Sequence, residues 1–304
     1  MIRFESSVDA MGTTYSVVLH GDSQGRMEEA ANAAFHEVQR LESLLSVHRS
    51  GSALSEINRL AGQGPVTVSP EVFRLIARCV RYSRRSQGAF DITVGPLMKA
   101  WGFFKGGGPL PGRDDVAAAL ARVGYGHIQL DLAAHTVRFG VKGMEINPGG
   151  IGKGYAVDRM AGILRRRGFH RALVMASSSS IYGAGAPPGE PRGWKVAIGN
   201  PRRPRRDVAA EVFLKDMSLS TSGVYVQAVR AGGMAVSHIM DPRTGCPAPG
   251  MLQVSVTAPR AIDSEAWAKP FFIHGRSWAV KNRPARLNAF FCEDGPEENW
   301  GWLP

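Results

Sequence analysis

The chain has 304 residues, of which 44% are hydrophobic and 21% charged, which is enough apolar material for a large core and excludes a disordered protein. No apolar run reaches the roughly 18 residues that a membrane helix needs, and the N-terminus lacks the apolar core of a secretion signal, which predicts a cytoplasmic protein. Three cysteines at unrelated spacings, Cys79, Cys246 and Cys292, argue against a disulfide framework and a zinc cluster.

The net charge is +11, from 37 basic and 26 acidic side chains, and arginine pairs and triplets recur along the chain. A basic surface attracts anions in general. The excess is compatible with a solvated face, an anionic small ligand or a nucleic acid. Nucleic acid is the least favoured of these, because no aromatic platform, zinc finger or recognition helix accompanies the arginines.

In chain order, alternation of β-branched residues predicts a strand over 13–20, and apolar residues at helical spacing predict a helix over 27–45. Ser69 before Pro70 is typical of a helix start, and that helix should end near 87, before Gly88. Further helices are predicted over 113–123, 155–167 and 265–272. Further strands are predicted near Ile128, Val137 and Met144 and over 172–176, 194–198, 210–214, 236–240, 252–257 and 287–291.

Strands and helices are mixed without regular alternation, which predicts an α+β fold with largely antiparallel sheets and flanking helices. Residues 1–304 are expected to form a single domain, with two intertwined subdomains as the alternative. Glycines and prolines over 183–193 predict an exposed loop and not a domain boundary.

Residues 146–158, INPGGIGKGYAVD, place four glycines and Lys153 around the start of a predicted helix. Glycines before a helix let backbone N–H groups approach an anion, and Lys153 adds a cation. The spacing fits neither the P-loop nor the dinucleotide-binding fingerprint, so a phosphate site and a plain tight turn both remain open.

Residues 237–245, SHIMDPRTG, contain a turn signal in which Asp241 is a natural side-chain cap. His238, on a predicted strand, is more typical of a structural histidine than of a catalyst. The stretch from Thr221 to Gly223 reads either as a polar turn or as hydroxyls that hold a phosphate.

Residues 90–97, FDITVGPL, place Phe90 and Asp91 close to three further aromatic residues at 101, 103 and 104. This cluster could face a planar heterocycle or belong to the core. Glu265 and Lys269 are four residues apart and should be neighbours on one helical face, where an ordinary exposed ion pair contributes a few tenths of a kcal/mol.

Each of these signals is weak by itself. Because they occur together in this order and spacing, the chain resembles the FAD:protein FMN transferase family, the ApbE-like proteins. The resemblance spans roughly residues 8–295. The matching segments are 11–15 (MGTTY), 90–103 (FDITVGPLMKAWGF), 150–158 (GIGKGYAVD), 194–201 (W-x-V-A-I-G-N-P), 220–225 (STSGVY), 237–247 (SHIMDPRTGCP) and 271–275 (FFIHG).

The resemblance implies an ApbE-like, T-fold-related architecture with FAD as substrate. Such proteins move the FMN half of FAD to a Thr or Ser of an acceptor flavoprotein, release AMP, and use magnesium at the pyrophosphate. Carried over by motif, the flavin-nucleotide contacts are Met11, His48 (usually a tyrosine), Ala89, Phe90, Asp91, Gly150, Lys153, Thr221 and Ile239. The catalytic candidates are His238, Asp241 and Lys269, and the metal-site positions are Gly150, Glu265 and Lys269.

This chain departs from the family pattern where the metal is expected. Asn147 stands where an aspartate is usual, and in the metal-binding helix Glu265 replaces an aspartate and Lys269 a threonine. A glycine pair expected after the strand at 172–176 is replaced within 177–180, SSSS. Mg²⁺ prefers oxygen ligands, usually with one or two carboxylates, whereas a lysine has three donors and no acceptor.

These departures predict that flavin nucleotide binding survives and that metal-dependent FMN transfer is impaired or altered. The Lys269 ammonium would then take the place of the metal, paired with Glu265 and the pyrophosphate. In the alternative, Lys269 turns to solvent and a backbone carbonyl completes the metal site. An altered FAD- or nucleotide-dependent reaction and a flavin binder without catalysis also remain open.

Overall fold

The computed structural model describes residues 1–203, 206–224, 228–231, 234–296 and 298–304. The helices are α1 (Gln24–Leu45), α2 (Ala53–Leu60), α3 (Pro70–Arg85), α4 (Gly95–Ala100), α5 (Arg113–Leu120), α6 (Gly152–Arg166), α7 (Ala261–His274) and α8 (Arg276–Asn282). Short 3-10 turns lie at Phe103–Lys105, Tyr125–His127 and Pro148–Gly150.

The strands are β1 (Ile2–Ala10), β2 (Thr13–Gly21), β3 (Val66–Thr67), β4 (Gly107–Gly108), β5 (Ile128–Asp131), β6 (Thr136–Phe139), β7 (Ala172–Ala176), β8 (Ser180–Ala184), β9 (Trp194–Gly199), β10 (Val208–Leu214), β11 (Met217–Gly223), β12 (Ala228–Ala231), β13 (Met234–Ser237), β14 (Met240–Asp241), β15 (Cys246–Pro247), β16 (Met251–Ala258), β17 (Asn288–Glu293) and β18 (Trp300–Trp302).

The main sheet has eight strands in the order β1-β2-β7-β8-β11-β16-β17-β18, and every neighbouring pair is antiparallel. Smaller sheets surround it, among them β3-β6-β5 and the β9–β10 hairpin. Helices and antiparallel sheets thus occur together, and the predicted α+β class is confirmed.

One face of the main sheet is covered by α1, α6 and α7, and α6 packs against both other helices. The alternation of side chains along β7 explains how the sheet supports two cores, because successive residues of a strand point to opposite faces. Val174 packs toward the helices, whereas Leu173 and Met175 pack against a second cluster on the other face. That second cluster includes side chains of the β9–β10 hairpin.

The predicted exposed loop over 183–193 is correct only in part. Strand β8 continues through Ala184, and Gly183 lies inside it, where a Cβ would come within 2.6 Å of the Leu214 carbonyl oxygen of β10. Gly183 is therefore needed for a close approach between strands, and the loop follows it.

The strand predicted near Met144 is wrong. Met144 is buried, but residues 144–147 pair with no strand among the described residues. The side chain of Asn58 takes the place of a neighbouring strand, because its amide accepts from Ile146 N at 2.8 Å and donates to Ile146 O at 3.0 Å. The apolar pattern gave no sign of this side chain.

The strand predicted over 236–240 is interrupted. Strand β13 ends at Ser237 and β14 begins at Met240. The Ser237 hydroxyl accepts from Ile239 N at 3.1 Å, a local bond that competes with the strand ladder. This break moves His238 out of regular structure.

The bounds of several helices agree closely with those predicted from the sequence. Helix α1 contains the whole predicted range 27–45, and α3 has Ser69 as its N-cap. Helix α6 starts three residues before the predicted 155, so two of the loop glycines belong to its first turn. Among the described residues, no helix has both the length and the apolar character needed to cross a membrane.

Ser177, in the turn between β7 and β8, has a positive φ of 51°. Because an L-residue costs about 1–2 kcal/mol in this conformation and glycine does not, we expect Ser177→Gly to stabilise the fold by about 0.5 kcal/mol after the entropy of glycine is subtracted. Chemical denaturation measures the change. Ser178→Gly is the matched control, because Ser178 shares the turn without a positive φ, and it should destabilise. A loss of stability in Ser177→Gly would contradict this reading.

Candidate functional site

A cavity of about 270 Å³ lies where six separate segments of the chain meet. These are the stretch 89–104 after α3, the 147–153 region, the β7–β8 turn at Ser179, β11, the stretch 238–242 and α7. The residues that line it are Ala89, Phe90, Asp91, Ile92, Val94, Met98, Phe104, Asn147, Gly149, Gly150, Lys153, Ser179, Ser220, Thr221, Ser222, Gly223, His238, Ile239, Met240, Pro242, Glu265 and Lys269. Its size is close to the lower end of ordinary small-ligand pockets, roughly 300 Å³.

The segment after α3 holds Phe90 and Asp91 at the cavity wall. The Ser86 hydroxyl accepts from Phe90 N at 3.0 Å, and Tyr82 packs edge-on against the Phe90 ring. Phe90 is 3% exposed, belongs to the core and also lines the cavity, while its contact with a planar heterocycle stays a prediction.

Both oxygens of Asp91 are engaged within the protein. Oδ1 accepts from the amide and hydroxyl of Thr93 at 2.8 and 2.7 Å, and Oδ2 accepts from Tyr125 N at 2.7 Å. Burial raises the pKa of Asp91, and these hydrogen bonds act against that shift. Asp91 thereby fixes the shape of this wall.

The glycine-rich stretch forms a further part of the wall beside Phe90, because a Cβ at Gly150 would lie 3.3 Å from the Phe90 ring. Asn147 Oδ1 accepts from Gly149 N at 2.8 Å and closes the 3-10 turn before α6. Lys153 lies in the first turn of α6, lines the cavity and is 33% exposed. The close approach of α6 to α7 depends on Gly154, whose amide donates to the Glu265 carboxylate.

Helix α7 contributes Glu265 and Lys269, which face the cavity as a pair. The Lys269 Nζ donates to the Gly150 carbonyl at 2.8 Å and to the Glu265 carbonyl at 3.1 Å, and lies 3.8 Å from Glu265 Oε1. The two residues are neighbours as predicted. The prediction of an ordinary exposed ion pair is wrong, because the Glu265 side chain is only 3% exposed.

The surroundings of Lys269 change its pKa. Burial lowers the pKa of Lys269 to about 8, the Glu265 charge opposes the shift and the Lys153 charge adds to it. The Glu265 carboxylate therefore favours the cationic form of Lys269, whereas burial and Lys153 disfavour it. Glu265 Oε1 is buried without a hydrogen bond among the described residues and faces Lys153 Nζ at 4.0 Å.

Asp158 of α6 sets the position of α7. Its two oxygens accept from Ala261 N at 2.7 Å and Ile262 N at 3.1 Å, the first amides of α7, and Arg260 lies 3.7 Å away. A carboxylate from another helix thus satisfies amides that a helix start leaves unpaired. Glu265 follows one turn later.

We expect the stability advantage of the wild type over Asp158→Asn to fall as pH rises. Burial raises the Asp158 pKa from 3.8 to about 6, against the two amides and Arg260. The folded state therefore holds the proton more tightly, so this stabilisation is complete below pH 3.8 and is lost as pH rises through 6, by at most about 3 kcal/mol. Urea unfolding of both proteins across this range measures the difference. A difference in unfolding free energy between the two proteins that does not change with pH would contradict the raised pKa of Asp158.

His238 and Asp241 flank the cavity from the stretch between β13 and β15. His238 lines the cavity and is partly buried. Asp241 forms the predicted turn, accepting from Arg243 N at 3.0 Å, and pairs with the Arg243 guanidinium at 2.8 and 2.7 Å. Burial alone would raise the Asp241 pKa, but the Arg243 contacts outweigh it and the pKa is lowered.

Three predicted site residues lie beside the cavity and not among the described residues that line it. Met11 donates its amide to Glu42 at 2.8 Å, and its methyl end faces the start of α6 at Gly152. His48 lies edge-on to Phe104, itself a lining residue, at 6.1 Å between ring centroids. Asp241 is the third, although the next residue, Pro242, lines the cavity. All three roles stay predictions.

The other predicted residues meet at this one cavity. They are Ala89, Phe90, Asp91, Gly150, Lys153, Thr221, His238, Ile239, Glu265 and Lys269. The Thr221 hydroxyl is already hydrogen-bonded to Ser255 at 2.8 Å. Tyr225, in the matched segment 220–225, lies outside the described residues. Met98 and Met240 line the cavity but were not among the predicted site residues, since no local pattern marks an apolar residue as cavity-lining.

The residues present do not fit a divalent metal ion. The Gly150 carbonyl already accepts from Lys269, and two ammonium groups lie within 4.0 Å of Glu265 Oε1. A divalent ion at this oxygen would lie close to both ammonium groups and would be repelled by each of them. No group of three or more His, Cys, Asp or Glu that could hold a metal occurs in the part of the chain that the structure describes.

Known proteins resemble this chain in both sequence and fold. The chain is 32% identical over 271 residues to the FAD:protein FMN transferase of Salmonella typhimurium, covering 87% of this chain and 77% of that protein. It is 31% identical over 277 residues to that of Treponema pallidum, covering 86% and 76%.

The crystal structure of the ApbE protein from Thermotoga maritima superposes with a TM-score of 0.88 at 27% identity, covering 99% of this chain and 96% of that one. The apo flavinyl transferase ApbE of Pseudomonas stutzeri gives 0.84 at 27% identity, covering 99% and 93%. A family model described as the ApbE family matches residues 11–291. On the shared sequence and fold, this chain belongs to the ApbE family.

Proposed function

We propose that this chain binds FAD in the cavity and transfers the FMN half to a Thr or Ser hydroxyl of an acceptor flavoprotein. The observation that carries the proposal is that four of the family motifs, 90–103, 150–158, 220–225 and 237–247, meet at one cavity with an apolar wall and two lysines. Relatives that are FAD:protein FMN transferases support it. Residues 1–304 would act as one domain, and the predicted cytoplasmic location stays a prediction.

The cavity offers different surroundings for the two ends of the substrate. The flavin ring would lie toward Phe90, Met98 and Ile239, where apolar side chains favour a planar heterocycle. The diphosphate would lie toward Lys153 and Lys269, whose charges stabilise phosphoryl oxygens. Ala89 and Gly150 would line the path between these ends.

In the reaction, the acceptor hydroxyl oxygen bonds to the FMN phosphorus, and the bond from that phosphorus to the bridging oxygen of the diphosphate breaks. AMP leaves with the bridging oxygen, and the hydroxyl loses its proton. His238 is our candidate to take that proton, because it lines the cavity. Asp241, held by Arg243, would act as a positioning residue for the turn that follows His238.

The test is covalent labelling of acceptor proteins. The purified protein is incubated with FAD and the proteins of the cells that carry its gene, and denaturing gels are examined for flavin fluorescence. We expect fluorescent bands, an FMN mass increment on Thr or Ser, and equivalent AMP. FMN in place of FAD is the control, since it has no AMP to release. Bands that form with FMN alone, or none with FAD, would contradict the proposal.

A second candidate function is favoured by the contact between Lys269 and the Gly150 carbonyl. With an ammonium bonded to that carbonyl, the chain could bind FAD without transferring FMN, or direct it to another reaction. FAD binding without covalent label or AMP release would favour a flavin binder, whereas a different FAD-derived product would favour an altered enzyme.

A further inference from the structure

The carboxylate of Glu265 lies at the centre of a small charged group. One oxygen accepts the Gly154 amide, and Oε1 faces Lys269 Nζ at 3.8 Å and Lys153 Nζ at 4.0 Å without a hydrogen bond among the described residues. The two ammonium groups and one carboxylate carry a net charge of +1. A partly buried site with a net positive charge favours an anionic ligand.

Lys269 is bound in place by the backbone, yet it keeps a donor for a ligand. Its ammonium has three N–H donors, of which two go to the Gly150 and Glu265 carbonyls. The side chain lines the cavity and is 23% exposed. Its position is therefore fixed before a ligand arrives, which reduces the ordering cost of binding.

The same contacts oppose a divalent ion. The Gly150 carbonyl, an oxygen that such an ion could use, already accepts from Lys269, and the Asn147 side-chain oxygen accepts from Gly149. Glu265 Oε1, a carboxylate oxygen without a hydrogen bond in the described part of the chain, lies within 4.0 Å of two ammonium groups. An ion at this place would displace Lys269 or be repelled by it.

From this geometry we infer that Lys153 and Lys269 hold the FAD diphosphate directly, so that FAD binding needs no divalent metal ion. The inference rests on the proposed function, because it assumes that FAD enters this cavity. Lysine binds phosphate as a point charge, so it replaces the attraction of a metal but not its coordination geometry. FAD and free ADP both carry a diphosphate that the two lysines could hold in this way.

The experiment is titration calorimetry of the whole protein with FAD, first with EDTA and then with magnesium chloride in excess. ADP and FMN are titrated in the same buffers, to separate the diphosphate from the flavin. We expect the FAD affinity to agree within about twofold between the two buffers, and FMN to bind more weakly than FAD.

The possible results separate the inference that FAD binds without a metal ion from the proposed function. FAD affinity at least about tenfold higher with magnesium would overturn the inference and leave the proposed function intact. No binding of FAD or of ADP in either buffer would overturn both. ADP binding that is equal in both buffers while FAD fails to bind would support the diphosphate site and overturn FAD as its ligand.

Discussion

Lys269→Met should weaken FAD binding by roughly 10- to 100-fold in EDTA, since hydrogen bonds to charged groups contribute about 1.5–3 kcal/mol. Methionine keeps the length and apolar stem of lysine and removes the ammonium at the cavity. Calorimetry with FAD measures the loss. Lys281→Met is the matched control, because it removes the same charge from an exposed position on α8 and should leave FAD affinity unchanged.

Loss of the ammonium also leaves Glu265 as a buried carboxylate with Lys153 as its remaining cation. If Lys269→Met folds poorly for this reason, Glu265→Gln/Lys269→Met should recover the thermal midpoint and still bind FAD weakly. Wild-type affinity in a folded Lys269→Met protein would contradict a direct role of this side chain.

Restoring oxygen ligands at positions 265 and 269 should make FAD binding depend on magnesium. Glu265→Asp/Lys269→Thr removes the ammonium from the Gly150 carbonyl and supplies hydroxyl and carboxylate oxygens, which are the ligands that Mg²⁺ prefers. We expect this double variant to bind FAD at least about tenfold more tightly with magnesium than with EDTA. Equal affinity in both buffers would show that Lys269 is not what excludes the ion.

Gly154→Ala should be the most destabilising small substitution at the site, by about 3 kcal/mol or more. A Cβ at Gly154 would overlap the carbonyl oxygen of Ala261, lie 2.6 Å from its carbonyl carbon and lie 2.9 Å from Glu265 Oε2. Because the first two are backbone atoms, α6 and α7 must separate. FAD binding should fall with stability, since Glu265 and Lys269 move with α7.

Gly162→Ala is the control in the same helix. Its Cβ would lie 3.5 Å from the flexible end of Arg166, so alanine should be neutral or stabilise the helix by up to about 1 kcal/mol. Urea unfolding of both variants, with an unchanged denaturant slope, measures the difference. Wild-type stability in Gly154→Ala would show that the two helices can separate at little cost.

Long, periodic elements could be predicted from the sequence because burial of one face determines them. Helix α3 is the clearest case, with its Ser69 cap and proline start. Strands β8 and β11 were not predicted, because serines occupy buried positions there. Ser218 and Ser220 of β11 are hydrogen-bonded to Ser264 of α7 at 2.9 and 2.8 Å, partners that no local pattern reveals.

The candidate site could be predicted only through the family resemblance. Asp91 and Glu265 are far apart in sequence, and local spacing gives no sign that they share a cavity. The tertiary roles of Asp158 and Asn58 were not anticipated, since both act through backbone groups of distant segments. The substitution at Lys269 was visible in the sequence, but its contact with the Gly150 carbonyl required the structure.

A crystal structure of the protein grown with FAD and manganese would test the site most directly, because anomalous scattering locates the ion. We expect the diphosphate within hydrogen-bond distance of the Nζ atoms of Lys153 and Lys269, the flavin toward Phe90, and no manganese at Glu265. Manganese bonded to the Gly150 carbonyl and the Glu265 carboxylate, with Lys269 turned away, would contradict the metal-free diphosphate site.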